Sequence, residues 1–228
     1  MKPVLVACGV LREARIAEAQ GGVIAVAGGG KFASTEARLE AIVDNAAAVA
    51  SFGLCGALVE ELRVGDVVIG SRVTTVGDAA TCDASWREAI FCKLRSINGL
   101  RWHEVGVEGH RQLVGNSRTK RLVQENSGAS VIDMESSVAA RIACRHGLPL
   151  AVIRVVSDGV DDALPLAFHS AMRPDGGTDF AAMLRSLAAH PGQLPAFARA
   201  SGNAIRALRR LGLLGRLLGP RLGLPDLG

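Results

Sequence analysis

Apolar positions along this chain fall into two alternating patterns. Short continuous runs, PVLVACG, GVIAVAGGG, AVASFG, VGDVVIGSRV, ASVIDM and LPLAVIRVVSD, read as strands covered on both faces. Between them lie stretches with helical spacing: LREARIAEA, about Ser34 to Ala48, DASWREAIFCKLRS with Asp83 as N-cap, SRTKRLVQENSG, and Glu135 to about His146. Gly128 stops the fourth of these helices, and Gly147 with Pro149 stops the fifth. WHEVGVE is a weaker strand. This alternation predicts an α/β fold, a central mixed sheet flanked by helices. Residues 1–170 show no linker, repeat or low-complexity tract and read as one domain. Residues 171–228 read as a helical C-terminal extension, two or three helices broken by Gly and Pro, packing on the domain or on a membrane surface.

Length and composition narrow the class without deciding the chemistry. A chain of 228 residues, 49% hydrophobic with 27 Gly and no Tyr, can bury one full α/β core with tight turns and small-residue packing. The net charge of +4 sits mostly in the tail, where seven Arg from Arg185 onward face the single acid Asp226. The segment Ala204 to Leu218 carries Ile205, Leu208, Leu211, Leu214 and Leu218 near one face and Arg206, Arg209, Arg210 and Arg216 elsewhere. That pattern suits either a helix packed on the domain or an interfacial basic amphipathic helix. The latter would bind anionic lipid reversibly and be dispensable for activity on a soluble substrate. Cys8, Cys55, Cys82, Cys92 and Cys144 form no CxxC or Cys/His spacing, so free thiols of a cytosolic protein are expected and no metal is assigned. The first apolar run is too short for a signal peptide and no run approaches a spanning helix, so a soluble or peripheral protein is expected.

Candidate chemistry lies where apolar runs stop. VI ends at Asp133 and Glu135, LPLAVIRVV ends before Asp158, and Glu13 follows the first strand. Ligand crevices of open α/β sheets lie beyond the carboxyl ends of strands. Two glycine stretches, AGGGK (Ala27 to Lys31) and SFGLCGAL (Ser51 to Leu58), read as turns at such ends and as candidate anion nests. Neither GxxxxGK[ST] nor a first-turn GxGxxG is present, which disfavours nucleotide triphosphatase and dinucleotide sites. Converging acids with an anion nest suit cleavage of a ribosyl bond through an oxocarbenium-like transition state. A carboxylate would orient vicinal hydroxyls while a protonated acid neutralises the departing base. A structural reading stands beside this one: Asp133 as a helix cap, Glu135 as a first-turn acid complementing the dipole.

The pair VIDMES and VIRVVSDG, with AVASFG followed by LRVGDVVI, resembles the purine nucleoside phosphorylase and methylthioadenosine/S-adenosylhomocysteine nucleosidase superfamily. GVLREARIA and RPDGGTDFAAMLRSLAAHPGQLPAF resemble its hopanoid-associated phosphorylase branch, implicated in removing adenine from adenosylhopane. The resemblance implies a nucleoside phosphorylase-like fold and release of adenine, with water or phosphate as acceptor. It implies Asp158 as the general acid toward N7, Glu13 near the attacking water, and Glu135 on the ribose hydroxyls with Asp133 beside it. Met134 would lie against the sugar, Ser157 would orient Asp158, and Gly53, Leu54, Cys55 and Gly56 would belong to the nucleoside or phosphate cradle. No cofactor is implied, apart from phosphate as a co-substrate. Expected partners are a small nucleoside, expected to be hopanoid-linked, a peripheral membrane contact through the tail and a second copy in a homodimer, with no nucleic acid. Two alternatives remain at this stage. One is a methylthioadenosine/S-adenosylhomocysteine nucleosidase or small purine nucleoside phosphorylase; the other is a non-catalytic nucleoside- or lipid-binding module.

Overall fold

The computed structural model of the chain describes residues 1–75, 78–171, 173 and 175–225. It places eight strands in one mixed sheet. Strands β1 (Val4–Cys8), β2 (Val23–Ala27) and β3 (Ala48–Ala57) run parallel, with β1 in the middle. On its other side β3 pairs in parallel with β8 (Leu150–Asp158) and, at Gly56 and Ala57, antiparallel with the short β7 (Val131–Asp133). Strand β8 meets β4 (Val67–Thr75) antiparallel, β4 meets β6 (Trp102–Gly109) parallel, and β6 returns to β7. The path β3–β8–β4–β6–β7–β3 therefore closes into a ring. Strand β5 (Asp78–Thr81) adds a hairpin to β4.

The two faces of the sheet follow the period-two alternation of its strands. Val4, Val6, Phe52 and Ile153 point to one core with Trp86, Leu211 and Leu214, while Leu5, Ala7, Val49 and Val152 point to the other with Ile142. Helices α1 (Leu11–Glu18), α3 (Ala84–Arg95) and α8 (Leu194–Leu218) cover the first face. Helix α5 (Ser136–His146) and part of α2 (Phe32–Glu40) cover the second. Helix α4 (Ser117–Ser127) leads into β7, and α6 (Leu166–Ala171) and α7 (Phe180–Ala189) follow β8. The predicted caps are present. Asp83 Oδ1 accepts from Trp86 N–H at 2.7 Å, and Gly128 and Gly147 end α4 and α5 in the left-handed region.

Two expectations change, and the alternatives for the tail narrow. The second helix stops at Glu40 rather than near Ala48, because Ala48 already pairs with Val4 as the start of β3. SFGLCGAL is not a turn: Ser51 to Ala57 continue the ten-residue strand β3, buried between β1 and β8. The tail, offered by its pattern either as a helix packed on the domain or as a lipid-binding segment, packs on the sheet. Gly202, Gly212 and Gly215 do not break α8, which runs for 25 residues and buries Ala207, Leu211, Leu214, Gly215 and Leu218. A methyl group on Gly215 would lie 3.3 Å from the Gln20 amide and 3.5 Å from Ile16, so this glycine lets α8 approach α1 closely. Trp86 Nε1 donates to the Leu222 carbonyl and Lys93 Nζ to that of Leu218, tying the chain end to α3.

Candidate active site

Glu13, Glu135 and Asp158 converge on one cavity of about 360 Å³ at the ends of β1, β3, β7 and β8. Each acid reaches it for a local reason. Glu13 is the third residue of α1 and its carboxylate turns back over the helix start. Oε2 accepts from the N–H groups of Gly9 (2.8 Å) and Val10 (2.9 Å), and Oε1 accepts from Leu54 N–H in β3 at 2.8 Å. Gly53 makes room for this: a methyl there would lie 2.7 Å from Glu13 Cδ and 2.7 Å from Arg154 Nη1. Glu135 stands at the start of α5. A methyl on Gly9 would lie 3.2 Å from both Glu13 Oε2 and Glu135 Oε1, so the two carboxyls share the space above that glycine.

Arg154, in the middle of β8 and fully buried, compensates these acids. Its Nη2 donates to Ser51 Oγ and lies 3.5 Å from Glu135 Oε2. Its Nε sits 2.8 Å from Asp133 Oδ2 as a charge contact rather than an aligned hydrogen bond. Asp133 is occupied by the protein itself. Oδ1 accepts from Glu135 N–H (3.0 Å) and Ser136 N–H (2.8 Å), and Oδ2 accepts from the Ser136 hydroxyl. The helix-cap reading therefore describes Asp133, and Arg154 is the cation that makes its burial tolerable. Burial raises the Glu135 carboxyl most; Arg154 pulls it down, Asp133 and Glu13 push it up, and it ends at about 8. Burial also raises Glu13, against Arg154 and its three backbone donors.

Asp158 closes the opposite part of the site at the end of β8. Its Oδ2 would be 2.8 Å from a methyl on Gly56, and its Oδ1 lies 2.7 Å from Ser157 Oγ. That hydroxyl is also 3.1 Å from the Cys55 carbonyl, a second contact that fixes it beside the acid. Lys120, from α4, reaches Asp158 Oδ2 at 2.5 Å from a fully buried position. Leu54, Cys55, Gly56 and Met134 all line the cavity. Burial pushes the Cys55 thiol well above its ordinary range, so this wall is a neutral surface. Gly53 contributes space for Glu13 rather than a wall.

The model of one protein family, the phosphorylase superfamily, matches residues 10–189 of this chain, a stretch that holds all three acids. The chain belongs to the phosphorylase superfamily. Its fold is similar to the methylthioadenosine/S-adenosylhomocysteine nucleosidase of Neisseria meningitidis, at 18% identity over 90% of this chain and 99% of that one, with a TM-score of 0.64. The corresponding enzyme of Helicobacter pylori has a TM-score of 0.62 at 14% identity, covering 83% and 99% of the two chains. Futalosine hydrolase of Helicobacter pylori has a TM-score of 0.60 at 17% identity, covering 83% and 98%.

Within this superfamily member the glycine run Ala27 to Lys31 is not an open anion nest. Gly28 and Gly29 N–H groups donate to the carbonyls of Cys8 and Gly9, and the Arg173 carbonyl and Gly176 fill the space against Gly29. Sequence reasoning missed three contributors. Arg154 had a signal, a lone Arg inside the apolar run VIRVV. Lys120 had none, since SRTKRL reads as a solvated helix face. The third contribution is an apolar wall from Leu164, Phe168, Met183, Ala204 and Leu208, supplied by α6, α7, α8 and the loop before them. Phe168 is the aromatic member of this wall, its ring packing on Phe197 with centroids 5.2 Å apart. Among the described residues no His, Cys, Asp and Glu cluster has the form of a metal site.

Proposed function

We propose that this enzyme hydrolyses the N-glycosidic bond of a purine nucleoside carrying a large apolar 5′ substituent, most simply adenosylhopane. The observation that carries the hydrolytic reading is the placement of Glu13. Three backbone N–H groups, two just after β1 and one inside β3, the kind of cradle an anion would use, are committed to its carboxylate. A phosphate entering there would meet a negative charge in place of free donors. A water molecule would meet a carboxyl able to take its proton.

The remaining roles follow from position. Glu13 abuts Gly53 and Asp158 abuts Gly56, so the two acids stand at different points along β3. A ribose fits beside Glu13 and Glu135, with the base extending toward Asp158. Glu135 would hold the ribose hydroxyls, Met134 would cover the sugar, and Asp158 would return a proton to the base as the bond breaks. The wall of Leu164, Phe168, Met183, Ala204 and Leu208 supports an apolar body at the 5′ side. Leu166, Phe180, Leu184 and Leu194 of the same three helices remain exposed, which supports substrate arriving from a lipid surface.

A series of 5′-alkylthioadenosines, assayed for adenine release with and without phosphate, tests both halves. Adenine should appear without phosphate, and kcat/KM should rise about fourfold for each added methylene that becomes buried. An absolute requirement for phosphate would overturn the assignment of Glu13. A maximum at the methyl group would replace the apolar substrate by methylthioadenosine, and no adenine from any member would leave only a binding module.

A further inference from the structure

Lys120 is the least expected group near the cavity. It is a fully buried ammonium on a helix otherwise rich in polar residues, and its three donors are all engaged. Nζ lies 2.5 Å from Asp158 Oδ2, 2.6 Å from the Gly159 carbonyl and 3.3 Å from the Asp162 carbonyl. A buried ammonium without a counter-charge costs several kcal/mol, and Asp158 is the carboxylate in contact with it. The arrangement therefore sets a second proton carrier directly against the Asp158 carboxyl. The nearest proton on that side of the site is on Nζ.

We propose that Lys120 stores the proton that Asp158 delivers to the departing base, the two side chains acting as one acid. The proposal rests on the glycosidic cleavage argued above. In the substrate complex a proton passes from Nζ to the Asp158 carboxylate, leaving an amine and a carboxylic acid. The C1′–N9 bond breaks with its electron pair going to the purine, and the carboxylic acid proton goes to N7. The attacking water bonds to C1′ and gives its proton to Glu13. The amine of Lys120 and the carboxylate of Asp158 remain, and solvent restores one proton to the lysine and removes one from Glu13 as the products leave. Lys120 is thus a positioning and proton-storing residue that acts through Asp158.

The groups facing the pair come from three elements. Asp162, in the loop after β8, accepts the Gly159 N–H at 2.9 Å through Oδ2. Cys55 of β3 is held neutral by burial. Arg199 of α8 lines a small adjoining cavity with Asp158 and Asp162. Among the described residues, Lys120 is the cation in direct contact with the Asp158 carboxylate.

The test compares a substrate whose leaving group needs a proton with one whose leaving group does not: a 5′-alkylthioadenosine and 4-nitrophenyl riboside. Lys120→Met should lower kcat on the adenosine substrate by about 10²-fold or more and change the nitrophenyl rate less than about threefold. Its alkaline limb in kcat/KM should move to lower pH, because Asp158 alone must then hold the proton. Lys120→Arg keeps the charge but cannot release a proton, so it should show the same substrate discrimination if Lys120→Met fails to fold. Equal losses on the two substrates, or an unmoved alkaline limb, would make Lys120 a structural cation and overturn the proposal alone. A wild-type protein inactive on both substrates would overturn the hydrolytic reading and the proposal together.

Discussion

Glu135 sits where opposing influences on one proton nearly balance. Its burial and the neighbouring Asp133 and Glu13 favour the neutral acid, Arg154 favours the carboxylate, and the outcome is a carboxyl at about 8 instead of 4.5. Between those two values the folded protein holds a proton that the unfolded chain has released. Stability therefore falls as pH rises through this window, and the cost is complete once the folded carboxyl ionises. Glu135→Gln removes the titration and keeps the shape. The expected result is a melting temperature that, relative to wild type, climbs steadily from pH 5 to pH 8 and then levels. A difference that stays flat over that range would mean that Glu135 is ionised throughout and that Arg154 dominates. Glu13, also raised by burial, stays in place in the variant, so the difference between the two proteins reports on Glu135.

At the scale of elements, the strand ends were legible and the neighbours of the acids were not. Glu13, Glu135 and Asp158 could be placed because apolar runs stop at them, and Asp83, Gly128 and Gly147 because caps have local chemistry. The glycines of β3 misled, since a Gly that admits a side chain from another element looks the same in sequence as one that turns the chain. The fate of Lys120 and of α6 to α8 depends on contacts between segments distant in sequence, which spacing within one helix does not encode. Gly53 and Gly202 separate the two uses of glycine. Gly53→Ala would put a methyl 2.7 Å from Glu13 and Arg154, whereas nothing lies within 4 Å of a methyl at Gly202 in α8. Overpacking of a buried site costs about 1–3 kcal/mol, and an exposed helical Gly→Ala gains up to about 1 kcal/mol. Thermal unfolding should show Gly53→Ala destabilised with its adenine release lost, and Gly202→Ala slightly stabilised and fully active. An active, stable Gly53→Ala would show that Glu13 need not occupy its observed position.

For the molecule as a whole, the decisive question is whether the C-terminal segment belongs to the core or to a surface. Arg206, Arg209 and Arg216 are exposed, as a lipid-facing helix would need, but the apolar side of the same helix is spent on the protein's own sheet. Ala207, Leu211, Leu214, Leu218, Leu222 and Leu224 join Val4, Phe52, Trp86 and Ile153 in one core. Helix α8 also supplies Ala200, Ala204 and Leu208 to the cavity, so the segment that completes the fold completes the site. A single buried Leu→Ala typically costs 2–5 kcal/mol by order of magnitude, roughly a third of the net stability of an ordinary domain. Leu211→Ala should therefore lower the melting temperature clearly while leaving the protein folded at 25 °C. Deleting residues 204–228 removes all six apolar side chains at once and exposes the sheet face beneath them. The expected product is unfolded or aggregated chain, seen as loss of the cooperative thermal transition in circular dichroism, with no adenine release from a soluble substrate. A truncated protein that melts cooperatively and still releases adenine would show instead that the segment is an appendage, and its exposed arginines would then be the place to look for its purpose.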